Sequence, residues 1–280
     1  MASASSRLQL LKAISGSTWG HNKECLLVTF KTILQPILHY ASAIWFPNAS
    51  TSAVAKLQRI QNSALRIVTG CHRMASLKHL HSETKVLPVA DHLGLLSKQF
   101  LASAKMPLNP SHTVVSRPPG PRDMKATLSS KFSESLSPYL RDGVQPSTLY
   151  KDTLSKLHTV AIEASITDLG PNDVIGRAPP DISEEEKSLD RANRCTLSQL
   201  RSGYCYRLNS YRHKIQCDVS DICPECHLAP HSTAHLFECV ANPTNLETKD
   251  LWTRPREVAR FLSSTHAFSH LLPANSPPPA

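Results

Sequence analysis

Four residues, Cys223, Cys226, His235 and Cys239 in the segment CPECHLAPHSTAHLFEC, have C-x2-C-x8-H-x3-C spacing. Two thiolates two residues apart can converge on one ion from a tight turn, with Pro224 and Glu225 filling the bend. His235 and Cys239 are four apart, so a helix over STAHLFEC, capped by Ser232 or Thr233, turns both toward the same ion. Three thiolates and an imidazole match the ligand set of a closed structural zinc site, one Zn2+ with no coordination position left for water or substrate. His227 and His231 compete for the fourth place. The first is adjacent to Cys226 and would strain the turn, and the second leaves Cys239 too far along, so His235 is preferred. Cys217 is a spare thiol, while Cys25, Cys71, Cys195 and Cys205 are isolated and read as small buried apolar side chains. A nucleophile-and-base pair of Cys71 and His72 is disfavoured, because adjacent residues seldom orient on one another and no third orienting group is visible.

The cations form a second set. The net charge of +9 is carried entirely by residues 1–106, which hold 12 Lys and Arg against 3 Asp and Glu, whereas residues 107–280 hold 19 of each. Lys12, Lys23, Lys31, Lys56, Arg59, Arg66 and Arg73 with few acids between them suit a phosphate backbone, though a basic face also serves solubility. The segment YCYRLNSYRHKI interleaves Tyr204, Tyr206 and Tyr211 with Arg207, Arg212, His213 and Lys214. Aromatic faces beside guanidinium groups suit single-stranded bases and phosphates, and packing at the base of the finger is the alternative. The nucleic-acid candidates are therefore Lys56, Arg59, Arg66, Arg73, Arg207, Tyr211, Arg212 and Lys214.

Eight cysteines, four of them in one metal-type cluster, do not form a disulfide framework and point to a reducing, intracellular compartment, cytoplasm or nucleus. No secretory signal pattern and no apolar stretch approaching about 18 residues is present, which excludes a membrane span.

The elements that must position these residues are mainly α. Before residue 107 the periodicity is helical throughout: residues 5–14 stopped by SGS, a long helix from about Asn22 to Trp45 kinked at Pro36, a third helix over Val54–Val68 stopped by Gly70, then Ser76–Thr84 and Val89–Met106. This predicts a basic helical bundle over 1–106. A Pro-rich extended linker over 107–123 follows, then a segment 124–180 of uncertain fold in which KDTLSKLHTVAIEASITDL looks helical. Residues 181–270 form a helical segment carrying the knuckle, and 271–280 a disordered tail. Ser183 before Glu184, Glu185 and Glu186 reads as a capping box opening a helix with Leu189, Leu197 and Leu200 inward and Arg191, Arg194 and Arg201 following. Thr253 is expected to cap a last helix whose Val258, Phe261 and Leu262 cover the knuckle, with Trp252 as its anchor.

The string FKTILQPILHYASAIWFPNASTSAVAKLQRIQNSALRIVTGCHRM, then HLHSETKVLPVADHLGLLSKQFL, then TLSQLRSGYCYRLNSYRHKI and the finger with its following Leu-Trp, resembles the C-terminal part of jockey-type non-LTR retrotransposon reverse transcriptases over nearly the whole chain. The resemblance implies that the first block is like the helical thumb or connection that follows the polymerase palm. It also implies that Cys223, Cys226, His235 and Cys239 form the family's knuckle, which handles nucleic acid. The chain departs from the family in lacking Tyr-x-Asp-Asp, the clustered aspartates that hold two metal ions for nucleotide transfer. The expectation is a fragment of an RNA-directed DNA polymerase that is not an enzyme on its own. It would bind RNA or DNA with little sequence preference, with an intact reverse transcriptase as a further partner. A zinc-dependent protein-interaction adaptor is the alternative.

Overall fold

The computed structural model describes residues 2–106, 108–116, 128–136, 147–167, 169–269 and 271. Among them the fold is mainly helical and contains no strand, only the isolated bridges Ser15 to Gly20 and Ile222 to Pro230. Two compact units form, one from residues 1–32, 62–84 and 169–280, the other from 33–61 and 85–168. This grouping differs from the expected succession of blocks: residues 1–106 divide between the units, and the knuckle region shares a unit with residues 1–32 and 62–84.

Asn22 caps the helix Lys23–Thr29 by accepting the Cys25 amide at 3.0 Å, at the point where the sequence pattern starts the helix. Leu26, Phe30, Leu34 and Leu38 repeat every fourth residue and are all buried. The expected single helix to Trp45 is not continuous. A π turn occupies Phe30–Leu34, Gln35–His39 is the next helical stretch, and Ala41 at φ +50° separates it from Ser42–Trp45. Pro36 explains the first break, because it cannot donate to the carbonyl four residues back and its ring crowds that group. Ile44 is consequently exposed.

The helix Thr51–Thr69 ends where Gly70 takes φ +73°. In the first unit its buried apolar residues are Ala64, Leu65 and Val68. Gly70 is required twice, since a Cβ there would also lie 2.3 Å from the Cys195 sulfur. Arg191 donates to the terminal carbonyls of Val68 (2.6 Å) and Ile67 (2.8 Å), a cation at the negative end of a helix dipole.

In the second unit the helix Val89–Ala104 packs against Ser42–Trp45, Leu128–Leu136 and Ser147–Ile162, burying Leu93, Leu101 and Ala102. The helix Ser147–Ile162 buries Leu157, whereas Val160 faces solvent. Within the expected linker, His112–Ser116 is a short helix. Its five residues contain no proline, and the Asn109 side chain accepts the Ser111 amide at 2.8 Å to start the turn. Residues 107 and 117–123 of the expected linker and 272–280 of the expected tail lie outside the described residues.

The first unit's core gathers Leu189, Leu197, Leu200, Cys205, Leu208, Leu236, Phe237, Leu251, Trp252, Val258, Leu262 and Phe268. Ser183 does cap, but it caps a 3-10 turn, Glu184–Ser188, and the α-helix Arg191–Arg201 starts on Asp190, which accepts the Asn193 amide at 2.7 Å. Thr253 does not cap the last helix. Pro255 opens Pro255–Ser264 at the position where its missing N–H costs nothing, and the Thr253 hydroxyl bonds Asp250 instead.

Arg191, Arg194 and Arg201 are all buried. Arg201 is completely enclosed, reaching Glu83 at 3.0 Å, Glu186 and the Leu251 carbonyl, with its guanidinium 5.8 Å from the Trp252 ring. Lys23 bonds the same carboxylates, Glu83 at 3.0 Å and Glu186 at 2.8 Å, and Arg194 holds Glu24 through 2.7 Å and a second, shorter contact. Burial alone would raise the Glu83 carboxyl, but Lys23 and then Arg201 hold it far below the usual carboxylate range. Lys23, counted at first among surface cations, thus belongs to an internal charge cluster.

Candidate metal centre

The knuckle is built from a short hairpin and a helical turn. Cys223 donates its amide to Ala229 O (2.8 Å) and accepts the His227 amide (3.0 Å), folding residues 223–229 back on themselves. His227 takes φ +56° just after Cys226, the conformation that lets so tight a turn close. The Ile222 to Pro230 bridge closes its base. On the other side, the Ser232 hydroxyl accepts the His235 amide at 3.3 Å and starts the turn His235–Glu238, with Cys239 just beyond it.

The sulfurs of Cys223, Cys226 and Cys239 and a ring nitrogen of His235 all lie within 4.8 Å of one another. Cys223 Sγ is 3.9 Å from Cys239 Sγ, and Cys226 Sγ is 3.2 Å from His235 Nε2. Zinc bonds of about 2.3 Å to sulfur and about 2.0 Å to nitrogen give tetrahedral edges of roughly 3.5–3.8 Å, which these separations bracket. Cys223 and Cys239 are buried while Cys226 and His235 are partly accessible. The Cys226 thiol is pulled down to about 7, first by the Leu228 amide and then by His235, which outweigh its desolvation. The four side chains are therefore close enough to hold one metal ion, with every ligand supplied by the chain.

His231 and His227, the competing ligands, stand apart from this set. His231 is buried, and its Nδ1 accepts the Asn209 amide at 3.3 Å. Asn209 in turn donates its side-chain amide to Ile222 O at 2.9 Å, so this pair ties the base of the hairpin to the helix Asn209–Ile215. The Thr233 hydroxyl donates to Leu200 O at 3.3 Å, and Phe237 stacks on Phe261 at 6.1 Å between centroids, so the second half of the knuckle is anchored in the core. No family model, curated protein or solved structure matches this chain. What the site can do follows from its own chemistry alone.

The remaining cysteines carry no chemistry of this kind. Cys195 and Cys205 are buried, and burial pushes their thiols up to about 11 and about 12. Cys71 is buried with its sulfur 3.1 Å from the Ser198 hydroxyl, whereas His72 turns its ring to the Tyr211 hydroxyl, so these neighbours do not face each other. Cys25, expected inside, is exposed on the outer side of its helix, and Cys217 is exposed as well.

The eight nucleic-acid candidates are distributed over both units. Lys56 and Arg59 are exposed on the helix Thr51–Thr69 within the second unit. In the first unit Arg66 is half-buried and reaches Ala75 O, while Arg73 is exposed. Burial first, then the charges of Arg73 and Arg66, lower the pKa of His72. Tyr211 is 3% exposed and bonded to His72, so its ring is packed inside the unit rather than offered to a base. Tyr204 packs edge-on against Tyr211 at 5.9 Å, with Lys214 Nζ 5.6 Å from the Tyr204 ring centroid. The ring facing solvent is Tyr206, 46% exposed, with the Arg207 guanidinium 4.9 Å over it. Among the described residues neither Arg207 nor Arg212 has a carboxylate partner. No helix of the described residues is long and apolar enough to cross a membrane.

Proposed function

We propose that this chain is a non-catalytic nucleic-acid-binding protein whose knuckle holds one structural zinc ion. Its lineage would be the C-terminal part of a jockey-type reverse transcriptase. One observation carries the reading: a four-ligand knuckle is flanked within its own unit by Arg207, Arg212 and Lys214, of which none has an acidic partner among the described residues. Cations left unpaired beside a rigid metal-held turn are what a phosphate backbone requires. The resemblance of the segment order supports the same reading, and the missing Tyr-x-Asp-Asp leaves the chain without the carboxylates that nucleotide transfer needs. Zinc is the ion that suits three thiolates and an imidazole in a closed site.

The test is fluorescence anisotropy of a labelled single-stranded oligonucleotide with the full zinc-loaded chain. Four phosphate contacts, by Arg73, Arg207, Arg212 and Lys214, give a salt slope of about −2.8, so affinity should drop about 50-fold between 50 and 200 mM salt. Affinity indifferent to salt, or no binding, would refute the reading. The adaptor alternative rests on a specific feature, the exposed apolar side chains Leu228 and Val240 on the knuckle surface, and would then be preferred.

A further inference from the structure

Beside the knuckle, within the first unit, lies a cleft of about 530 Å3 lined by Tyr206, Arg207, Arg212, Pro224, His231 and His266 among others. No carboxylate lines it. Its volume lies in the range of small-ligand sites. Two features set it up for an anion attached to a planar group. Arg207 donates from Nε to the Tyr206 hydroxyl at 3.1 Å and lies 4.9 Å over that ring, so these two contacts bias its orientation before any ligand arrives. Arg212 is exposed on the helix Asn209–Ile215, and among the described residues it has no acidic partner. A neutral donor completes the wall. His231 Nδ1 already accepts the Asn209 amide, which leaves its proton on Nε2. Pro224 belongs to the turn between two metal ligands, so the cleft's shape depends on the closed knuckle.

We infer that this cleft holds one nucleotide of a single strand: the phosphate is clamped by Arg207 and Arg212, and the base stacks on the Tyr206 and Arg207 platform. Planar guanidinium groups hold phosphate through paired N–H bonds, and an aromatic face takes any base without reading its edge, so binding here is independent of sequence. This deepens the nucleic-acid reading above and rests on it.

The experiment measures binding of fluorescein-labelled 12-nucleotide oligouridine and oligothymidine to the full chain. R207A/R212A, Y206L and R7A/K12A are compared with the parent protein, each verified for zinc content and thermal unfolding. Arg7 and Lys12 are exposed cations of the same unit on the helix Ala2–Ala13, away from the cleft lining. Loss of two phosphate contacts should weaken binding about tenfold or more and reduce the salt slope by about 1.4. Y206L should weaken binding about 5- to 160-fold with the salt slope unchanged, because stacking carries no charge. R7A/K12A measures what two cations outside the cleft lining contribute, and a loss as large as that of R207A/R212A would overturn the cleft assignment. Uridine 5′-monophosphate should compete, and inorganic phosphate should compete far less well. If the parent binds the oligonucleotides and both cleft variants bind equally, the cleft assignment is overturned and the nucleic-acid reading stands. If the parent binds neither oligonucleotide, both fall. Equal competition by inorganic phosphate overturns the nucleotide assignment in favour of a simple anion site.

Discussion

Glu83→Gln isolates what the buried charge cluster contributes. Glu83 Oε1 accepts from both Lys23 and Arg201 at 3.0 Å, while Oε2 has no hydrogen-bond partner among the described residues. Glutamine can place its carbonyl oxygen at the first position and keep both acceptor contacts, so the variant keeps shape, loses the charge and puts an amide N–H2 at the buried second position. Removing one member of a buried ion pair costs about 3–5 kcal/mol, and the retained contacts argue for the lower end, about 3 kcal/mol. Lys23, Glu83 and Arg201 side chains are 13%, 1% and 0% exposed, so screening by solvent takes little from this figure. The pH dependence fixes the cause. The folded carboxyl lies well below its ordinary value of 4.5, so its stabilisation is complete above that pH and is lost as pH falls toward the depressed folded value. Urea unfolding of parent and variant should therefore differ by a constant amount from about pH 7 to 5. Below about 4.5 the gap should close at up to about 1.4 kcal/mol per pH unit. Metal loss in acid is common to both proteins and cancels in the difference. A variant within 1 kcal/mol of the parent at neutral pH, or a gap that widens on acidification, would show that the cluster does not work this way.

Cys226→Ser should abolish stoichiometric metal, read by atomic absorption on protein purified without added zinc. It should also lower hydrogen-exchange protection in the helices Arg191–Arg201 and Pro255–Ser264, because Thr233, Leu236 and Phe237 tie the knuckle to them. Protection lost only within residues 222–240 would contradict that coupling. Gly70→Ala should destabilise by about 2–4 kcal/mol, from the φ of +73° together with a contact against Cys195. Adding Cys195→Ala should recover part of the denaturation midpoint, and no recovery would place the whole cost in the backbone.

The cluster was legible in the sequence because its members are local: seventeen residues contain all four side chains that come close enough to hold one ion, so spacing alone suggests the geometry. The helices Thr51–Thr69, Leu77–Thr84 and Val89–Ala104 were legible for the same reason, each carrying its own apolar stripe and stop signal. The fate of the charges was not. Arg194 and Arg201 stand on a helix whose pattern suits a solvated basic side, yet their partners Glu24 and Glu83 lie 170 and 118 residues away. Glu186 illustrates the ambiguity: three acids after a serine satisfy a capping pattern whether the third is solvated or buried against Arg201. The signal that existed was the scarcity of acids in residues 1–106, since Glu24 and Glu83 are two of only three there and both are paired.

This separation of local from distant information bears on how the site works. A charge count treats Lys23, Arg191, Arg194 and Arg201 as binding capacity, but the structure commits all four internally, to carboxylates or to carbonyls at a helix end. Cations able to meet an external phosphate in the knuckle-bearing unit must come from those without such commitments, which leaves Arg73, Arg207, Arg212 and Lys214 as the first candidates. Three of the four fall between residues 207 and 214, on the short segment that Asn209 and His231 fasten to the hairpin. Metal binding and strand binding would then be linked. An ion held by the four ligands would fix the turn, and His231, which accepts the Asn209 amide, would pass that order to the start of the helix that carries Arg212. Ordering these groups in advance removes an entropic cost that flexible lysines on a bare basic surface would incur on binding.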